Sequence, residues 1–187
     1  MKTPINQVVL ITSLFVAAAG ISSQVFAGEG KACDYSKKGE NKSMMKGHHM
    51  DKAQAKALVQ PFYDLLGGDT TPEKAKANFA ADWKSYSGEA KYRGLDDTIG
   101  FVSGPLQKMI PDLNWEIVNI SLTNDHEIVV RGKATGTPVG EKFFGQPVSG
   151  KSFEMMSIDV HKVQDGKIIH TYHVEDWRGA LEQLAAK

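Results

Sequence analysis

Two stretches near the end of the chain carry residues able to move protons. The first reads Phe-Glu-Met-Met-Ser-Ile-Asp-Val-His from Phe153 to His161, and the second Ile-Ile-His-Thr-Tyr-His-Val-Glu-Asp-Trp from Ile168 to Trp177. Side chains alternate faces along a strand, so Ser157, Asp159 and His161 share one face while Met156, Ile158 and Val160 share the other. Asp165-Gly166 between the stretches is a hairpin signal. A type I turn with a bulge, Gly166 being left-handed, sets Val163 opposite Lys167, Asp159 opposite Thr171 and Ser157 opposite His173. Ser157, Asp159, His161, Thr171 and His173 then form one polar face, with Asp159 in diagonal reach of His173. A strict two-residue turn would shift the pairing by one and break up the group. A carboxylate beside an imidazole is a proton-transfer pair. The imidazole, with a pKa of about 6.5, titrates near working pH, and the carboxylate orients its ring and stabilises its charge. The plainer alternative is that this face is the wet side of a sheet.

These strands need a cover, and the preceding sequence supplies helices. Asp51 stands at an N-cap position with Gln54 at the third helical position. Leu58, Val59, Phe62, Leu65 and Leu66 recur at helical spacing before Gly67-Gly68 ends the run. Thr71 caps a second short helix with Pro72 in its first turn, carrying Ala75, Phe79 and Ala80 inward. Trp83, Tyr86 and Tyr92 fall in a loop-like stretch, and a third helix runs from Asp96 to Met109. From Leu113 onward the texture is that of strands: Trp115 to Ile120, His126 to Thr137, a Gly/Pro-punctuated loop over 138–150, and the two stretches above. Ala180, Leu181 and Leu184 close the chain as a short amphipathic helix. Helices followed by antiparallel strands indicate an α+β fold.

The 187 residues suit one domain. Twenty-two basic and 22 acidic residues are interspersed at zero formal charge, which argues against nucleic acid or an anionic membrane surface as partner. Lys2, the apolar run Val8 to Ala19, and Val25-Phe26-Ala27 before Gly28 form the three-part pattern of a secretory signal over 1–27. The run is shorter than the roughly 20 residues an anchor needs. The expectation is a periplasmic or secreted protein with no membrane attachment after cleavage. Residues 28–50 are polar and read as a disordered leader to a domain over 51–187. Met44, Met45, His48, His49 and Met50 in that leader read as tether rather than as a soft-metal site. Cys33 is the only cysteine, so no intramolecular disulfide forms.

Gly136-Thr137-Pro138, Phe144-Gly145, Gly150-Lys151, Ile158-Asp159 and Asp165-Gly166-Lys167-Ile168 with a distal Asp176 resemble the SnoaL-like polyketide cyclases (ester cyclases) of the nuclear-transport-factor-2-like superfamily. The resemblance runs over about Leu58 to Leu184. It implies a cone-shaped curved antiparallel sheet packed on N-terminal helices, a cystatin-like α+β roll around an apolar pocket. It also implies aldol-type ring closure without metal or organic cofactor, a pocket carboxylate serving as acid and base. The ligand would be a small apolar carbonyl-bearing molecule. Where the family's last strand often reads Glu-His-Trp-Asp with another Asp three residues on, this chain has His170, Thr171, Tyr172, His173 and then Asp176. His173 thus takes the place of the inner Asp, with Asp159 and His161 in support and Asp176 at the pocket edge. Trp83, Tyr86 and Trp177 would line the pocket, and Ser157 and Thr171 would face the ligand. Bland alternatives are packing for Trp83 and Trp177, and for Asp176 a cap on the last helix. Met156, Ile158, Val160, Tyr172 and Val174 form an apolar outer face that predicts a homodimer. A non-catalytic binding or assembly module of the same fold is the competing reading.

Overall fold

The structure is a computed structural model and describes residues 50–186 other than 126. The expected signal segment, Cys33 and the cluster from Met44 to His49 lie outside the described residues. Asp51 and Gln54 form the expected reciprocal box, at 2.8 and 2.9 Å, and start α1 (Lys52–Leu66). Pro61 inside α1 offers no N–H to the carbonyl four residues back; the Asn78 side-chain amide serves Ala57 O and Leu58 O instead, at 3.4 and 2.8 Å. Thr71 caps α2 (Pro72–Lys76), which stops before Phe79. Ala75 alone of the three expected inward residues belongs to this helix, because Phe79 and Ala80 open a strand.

That strand, β1 (Phe79–Gly88), and its hairpin partner β2 (Lys91–Gly94) replace the expected loop around Trp83, Tyr86 and Tyr92. Phe79, Trp83 and Ser85 are buried, while the exposed Ala81 and Asp82 and an irregular pairing between Phe79 and Lys84 break the period-2 signal. The third helix follows this hairpin instead of leading the sheet. It runs as α3 (Leu95–Phe101), a π-helical turn (Val102–Leu106) and α4 (Gln107–Met109). The widened turn holds Pro105, which lacks the N–H of a regular α-helical ladder. Then come β3 (Asn114–Leu122), β4 (Glu127–Gly136), the two-residue strands β5 (Lys142–Phe143) and β6 (Gln146–Pro147), β7 (Phe153–Gln164), β8 (Lys167–Glu175) and α5 (Trp177–Ala185).

The main sheet has the order β2-β1-β8-β7-β4-β3. Its neighbours are antiparallel except for β1 and β8, which run parallel. The core lies against one face, where Trp83, Val130, Phe153 and Ile168 meet Val59 and Leu65 of α1 and Ile99 of α3.

The last hairpin departs from the expected turn. Asp165 and Gly166 both have positive φ, 50° and 73°, which makes a two-residue turn with Gln164 opposite Lys167 and Val163 opposite Ile168. Continued unbroken, that register would put Asp159 opposite Tyr172. A bulge prevents it: Lys162 pairs with His170, so Ile169 is the extra residue. The bulge therefore exists, but on β8 and not in the turn. Asp159 faces His173 directly, His161 faces Thr171, and Ser157 faces Glu175 and not His173. The parity of the group survives while each expected partner moves by two.

Candidate functional site

The face shared by Ser157, Asp159, His161 and Thr171 is not wet. All four are buried against the helices, with exposures of 0, 5, 0 and 1 %. The apolar set is outside: Met156, Tyr172 and Val174 are 53, 45 and 74 % exposed. Buried polar groups must find hydrogen bonds, and these do. Tyr63 from α1 reaches down so that its Oη lies 3.0 Å from both Asp159 Oδ2 and His161 Nε2. His161 Nδ1 lies 2.9 Å from Thr171 Oγ1, to which Trp83 Nε1 donates at 3.0 Å. On the other side Ser157 Oγ donates to Asp159 Oδ2 at 3.3 Å and accepts from Trp115 Nε1 at 3.2 Å. Gly132 of β4 makes room for that last bond, since a Cβ there would come within 2.5 Å of Ser157 Oγ.

With Asp159 ionised, counting donors fixes the direction of every bond. Trp83 donates to Thr171, Thr171 to His161 Nδ1, His161 Nε2–H to Tyr63, and Tyr63 to Asp159. His161 is then neutral, in agreement with burial and the nearby His173 charge, which lower its pKa to about 3. Burial, with the charge of Asp159, pushes the Tyr63 hydroxyl well up, so it remains a donor. Burial and the negative charge of Glu175 raise the Asp159 carboxyl to about 7, against lowering contributions from Tyr63, His173 and Ser157. Its bonds to Tyr63 and Ser157 both end on Oδ2, leaving Oδ1 outside this chain.

His173 sits at the rim, half-buried, and its Nδ1 lies 3.3 Å from Glu175 Oε1. Burial opposes its charge, but the hydrogen bond and charge of Glu175, with the charge of Asp159, outweigh that and raise the imidazole pKa. Trp177 Nε1 donates to Glu175 Oε2 at 2.6 Å while its ring packs on Phe143, Phe144 and Phe153. Trp177 thus orients the carboxylate that orients His173.

Of the residues expected at the site, Asp159, His161, Ser157, Thr171 and Trp83 are brought together, with His173 and Trp177 at the edge. Asp159 and His173 share a face and sense each other's charge, but the imidazole's hydrogen bond goes to Glu175. Asp176 is exposed and caps α5 by accepting from Gly179 N at 2.9 Å, away from the group. Tyr86 lies on the opposite face, stacked on Tyr172 at 4.9 Å, and does not line the inner side. Tyr63 and Glu175 were not expected there. A polar-tipped ring on the apolar face of α1 marks the first, and the alternation Thr171, His173, Glu175 marks the second. A cavity of about 300 Å³ lies elsewhere, between α5 and the 138–151 segment, and touches none of these residues. Among the described residues no group of three or more His, Cys, Asp or Glu is arranged to hold a metal.

The SnoaL-like polyketide cyclase family matches residues 57–184. The chain belongs to that family. TsrD from Streptomyces laurentii is 21 % identical, with 74 % of this chain and 99 % of that one covered at a TM-score of 0.62. IdmH from Streptomyces antibioticus is 25 % identical, covering 71 and 99 % at a TM-score of 0.61. A protein with a ketosteroid isomerase-like fold from Catenulispora acidiphila is 16 % identical, covering 70 and 93 % at 0.55. No curated protein matches the chain. The expected α+β roll of the nuclear-transport-factor-2-like kind is therefore the fold of this SnoaL-like domain.

The buried pair has a consequence for stability. Between about pH 4 and 6.5 an unfolded chain carries an ionised aspartate and a charged imidazole. In the folded domain Asp159, raised to about 7, holds a proton over that range, and His161, lowered to about 3, does not. Folding moves one proton from imidazole to carboxyl, so the pair adds no pH dependence there. Asp159 by itself favours the fold below its unfolded pKa and loses that contribution as pH rises to 7. His161 by itself favours it above 6.5 and loses that as pH falls. Relative to the parent protein, Asp159→Asn should therefore lose stability as pH drops from 6.5 to 4, by up to about 1.4 kcal/mol per pH unit. His161→Gln should lose it as pH rises across the same window. Urea unfolding at half-unit pH steps measures both slopes, and slopes of the same sign would rule out the exchange.

Proposed function

We propose that this SnoaL-like domain binds a small, largely apolar carbonyl compound and moves a proton alpha to its carbonyl, in cyclase or isomerase fashion. Asp159 is the base and His173 its electrostatic partner. The observation that carries this reading is a buried carboxyl, fixed through one oxygen by Tyr63 and Ser157, facing a half-buried imidazole. A base works best when its pKa lies near the operating pH, and Asp159, at about 7, is both base and acid at neutrality. Oδ1 would take the proton from carbon and return it. His173, charged and held through Nδ1 by Glu175, would present Nε2–H to the oxygen that gains charge. His161, Thr171 and Trp83 act behind Tyr63 as positioning residues.

The reading is checked with α-tetralone in deuterium oxide, following exchange at the carbon next to the carbonyl by NMR. The domain should accelerate exchange, with a rate that rises through about pH 7 as Asp159 ionises. Asp159→Asn should lose roughly 10²- to 10⁴-fold of that acceleration. Equal rates in the two proteins would remove Asp159 as the base.

The pattern over 1–27 supports export, and an exported protein would meet its ligand outside the cytoplasm, away from polyketide assembly. Expressed with its leader in a bacterium, the protein recovered from the periplasm should begin at Gly28 by intact mass. A cytoplasmic product that still carries residues 1–27 would overturn this.

The second reading, a module that works by assembly, is favoured by the exposed apolar outer face of Met156, Tyr172 and Val174. A homodimer through that face should run at twice the chain mass in light scattering and fall to the single-chain mass in Val174→Lys. A parent protein that is monomeric at high concentration would dismiss the dimer.

A further inference from the structure

One cation at the rim has no place in the mechanism above. Arg93 lies on edge strand β2 and pairs with Ser85; Ser85 pairs with Thr171, and Thr171 with His161. Paired residues point to the same side, so this transverse row puts Arg93 on the inner face, two strand spacings or about 10 Å from Thr171. Its Cζ sits 4.7 Å over the ring of Phe101 at the end of α3, between the sheet edge and the covering helix. Three other cations of the domain have carboxylates: Lys76 has Asp96, Lys133 has Glu116, and Arg178 has Glu182. Arg93 is exposed and forms no salt bridge among the described residues, and the strand row sets it on the same side of the sheet as the buried acid. It is close enough for its charge to oppose protonation of His173. A guanidinium placed on an aromatic ring keeps its N–H donors available and matches a carboxylate with two parallel hydrogen bonds.

We propose that Arg93 anchors a carboxylate, so that the ligand class is an apolar oxo-carboxylate and not a neutral ketone. This rests on the reading that a carbonyl compound occupies the inner face beside Asp159. The ligand's acid would lie against Arg93 at the rim and its apolar body against Phe101 and the core, with the carbonyl directed inward. Such an anchor is a specificity determinant, since a neutral ligand leaves the guanidinium unmatched at no gain.

The probes are 3-benzoylpropionate and its methyl ester, which share shape and carbonyl and differ in charge. Binding is measured by titration in low salt to the parent protein, Arg93→Gln and Arg93→Lys. The parent should bind the acid at least about tenfold more tightly than the ester, as expected for a charge-assisted pair. Arg93→Gln should bind the acid as weakly as the ester, leave the ester's affinity unchanged and keep the parent's thermal midpoint. Arg93→Lys should keep part of the preference. Equal binding of acid and ester by the parent would overturn the anchor while leaving the carbonyl reading intact. So would a preference that survives in Arg93→Gln. Failure of the parent to bind either compound would overturn both.

Discussion

An acid and an imidazole buried beneath a helix set the terms for the rest of this domain. Asp159 and His161 point inward from neighbouring positions on β7, where water cannot serve them, and the Tyr63 hydroxyl of α1 stands 3.0 Å from each. Removing a buried polar group's partner costs more than the bond is worth, because the desolvated group is left unpaired. The chain of bonds from Trp83 to Asp159, and onward through Ser157 to Trp115, therefore ties α1 to β1, β3, β7 and β8 in one mutual arrangement. Burial of Val59, Phe62 and Leu65 draws α1 onto the sheet, but it does not fix where along the sheet the helix rests. The position of one hydroxyl does.

The same requirement explains the bulge at Ile169. The two-residue turn after Gln164 suits the right-handed twist of the flanking strands, and Asp165-Gly166 is built for it. Left alone, that turn would place Asp159 and Tyr172 side by side and drive one of them to the wrong face. One extra residue on β8 reconciles a favourable turn with a face pattern in which polar residues are inside and apolar ones outside. Gly132 makes a second concession of the same kind, since the absence of a side chain there admits both Ser157 Oγ and the Trp115 ring nitrogen.

Much of this was legible in the residues. The capping box at Asp51 and Gln54, the strands from Asn114 onward, and the membership of the polar face all follow from local periodicity and end chemistry. Parity was readable because it depends only on counting by two. Registration was not, because a bulge in the turn and a bulge three residues beyond it give the same faces with different partners. β1 was hidden because its alternation is interrupted: the exposed Ala81 and Asp82 and a pairing irregularity lie between the buried Phe79 and Trp83, and the buried Ser85 carries no hydrophobic signal. Tyr63 was hidden differently: within an amphipathic helix a tyrosine counts as one more apolar residue until its hydroxyl has a partner, and that partner lies 96 positions away. The local caps could be read; a contact made by tertiary packing could not.

A fully bonded polar network is ordinarily a structural device, and most of this one is. What separates Asp159 from its neighbours is the balance on its carboxyl. Burial and Glu175 drive its pKa upward, while Tyr63, His173 and Ser157 pull it back, and the outcome is about 7. Without the donors, the same carboxyl would keep its proton at neutral pH and could not act as a base. In water, it would be ionised but too weakly basic to compete for a proton on carbon. Tyr63 can hold this balance because its own hydroxyl is pushed well up, so it keeps its proton and stays a donor to Asp159 while its oxygen accepts from His161. The bond that locates the helix also tunes the acid, which is why structure and proposed chemistry in this domain lead back to the same oxygen.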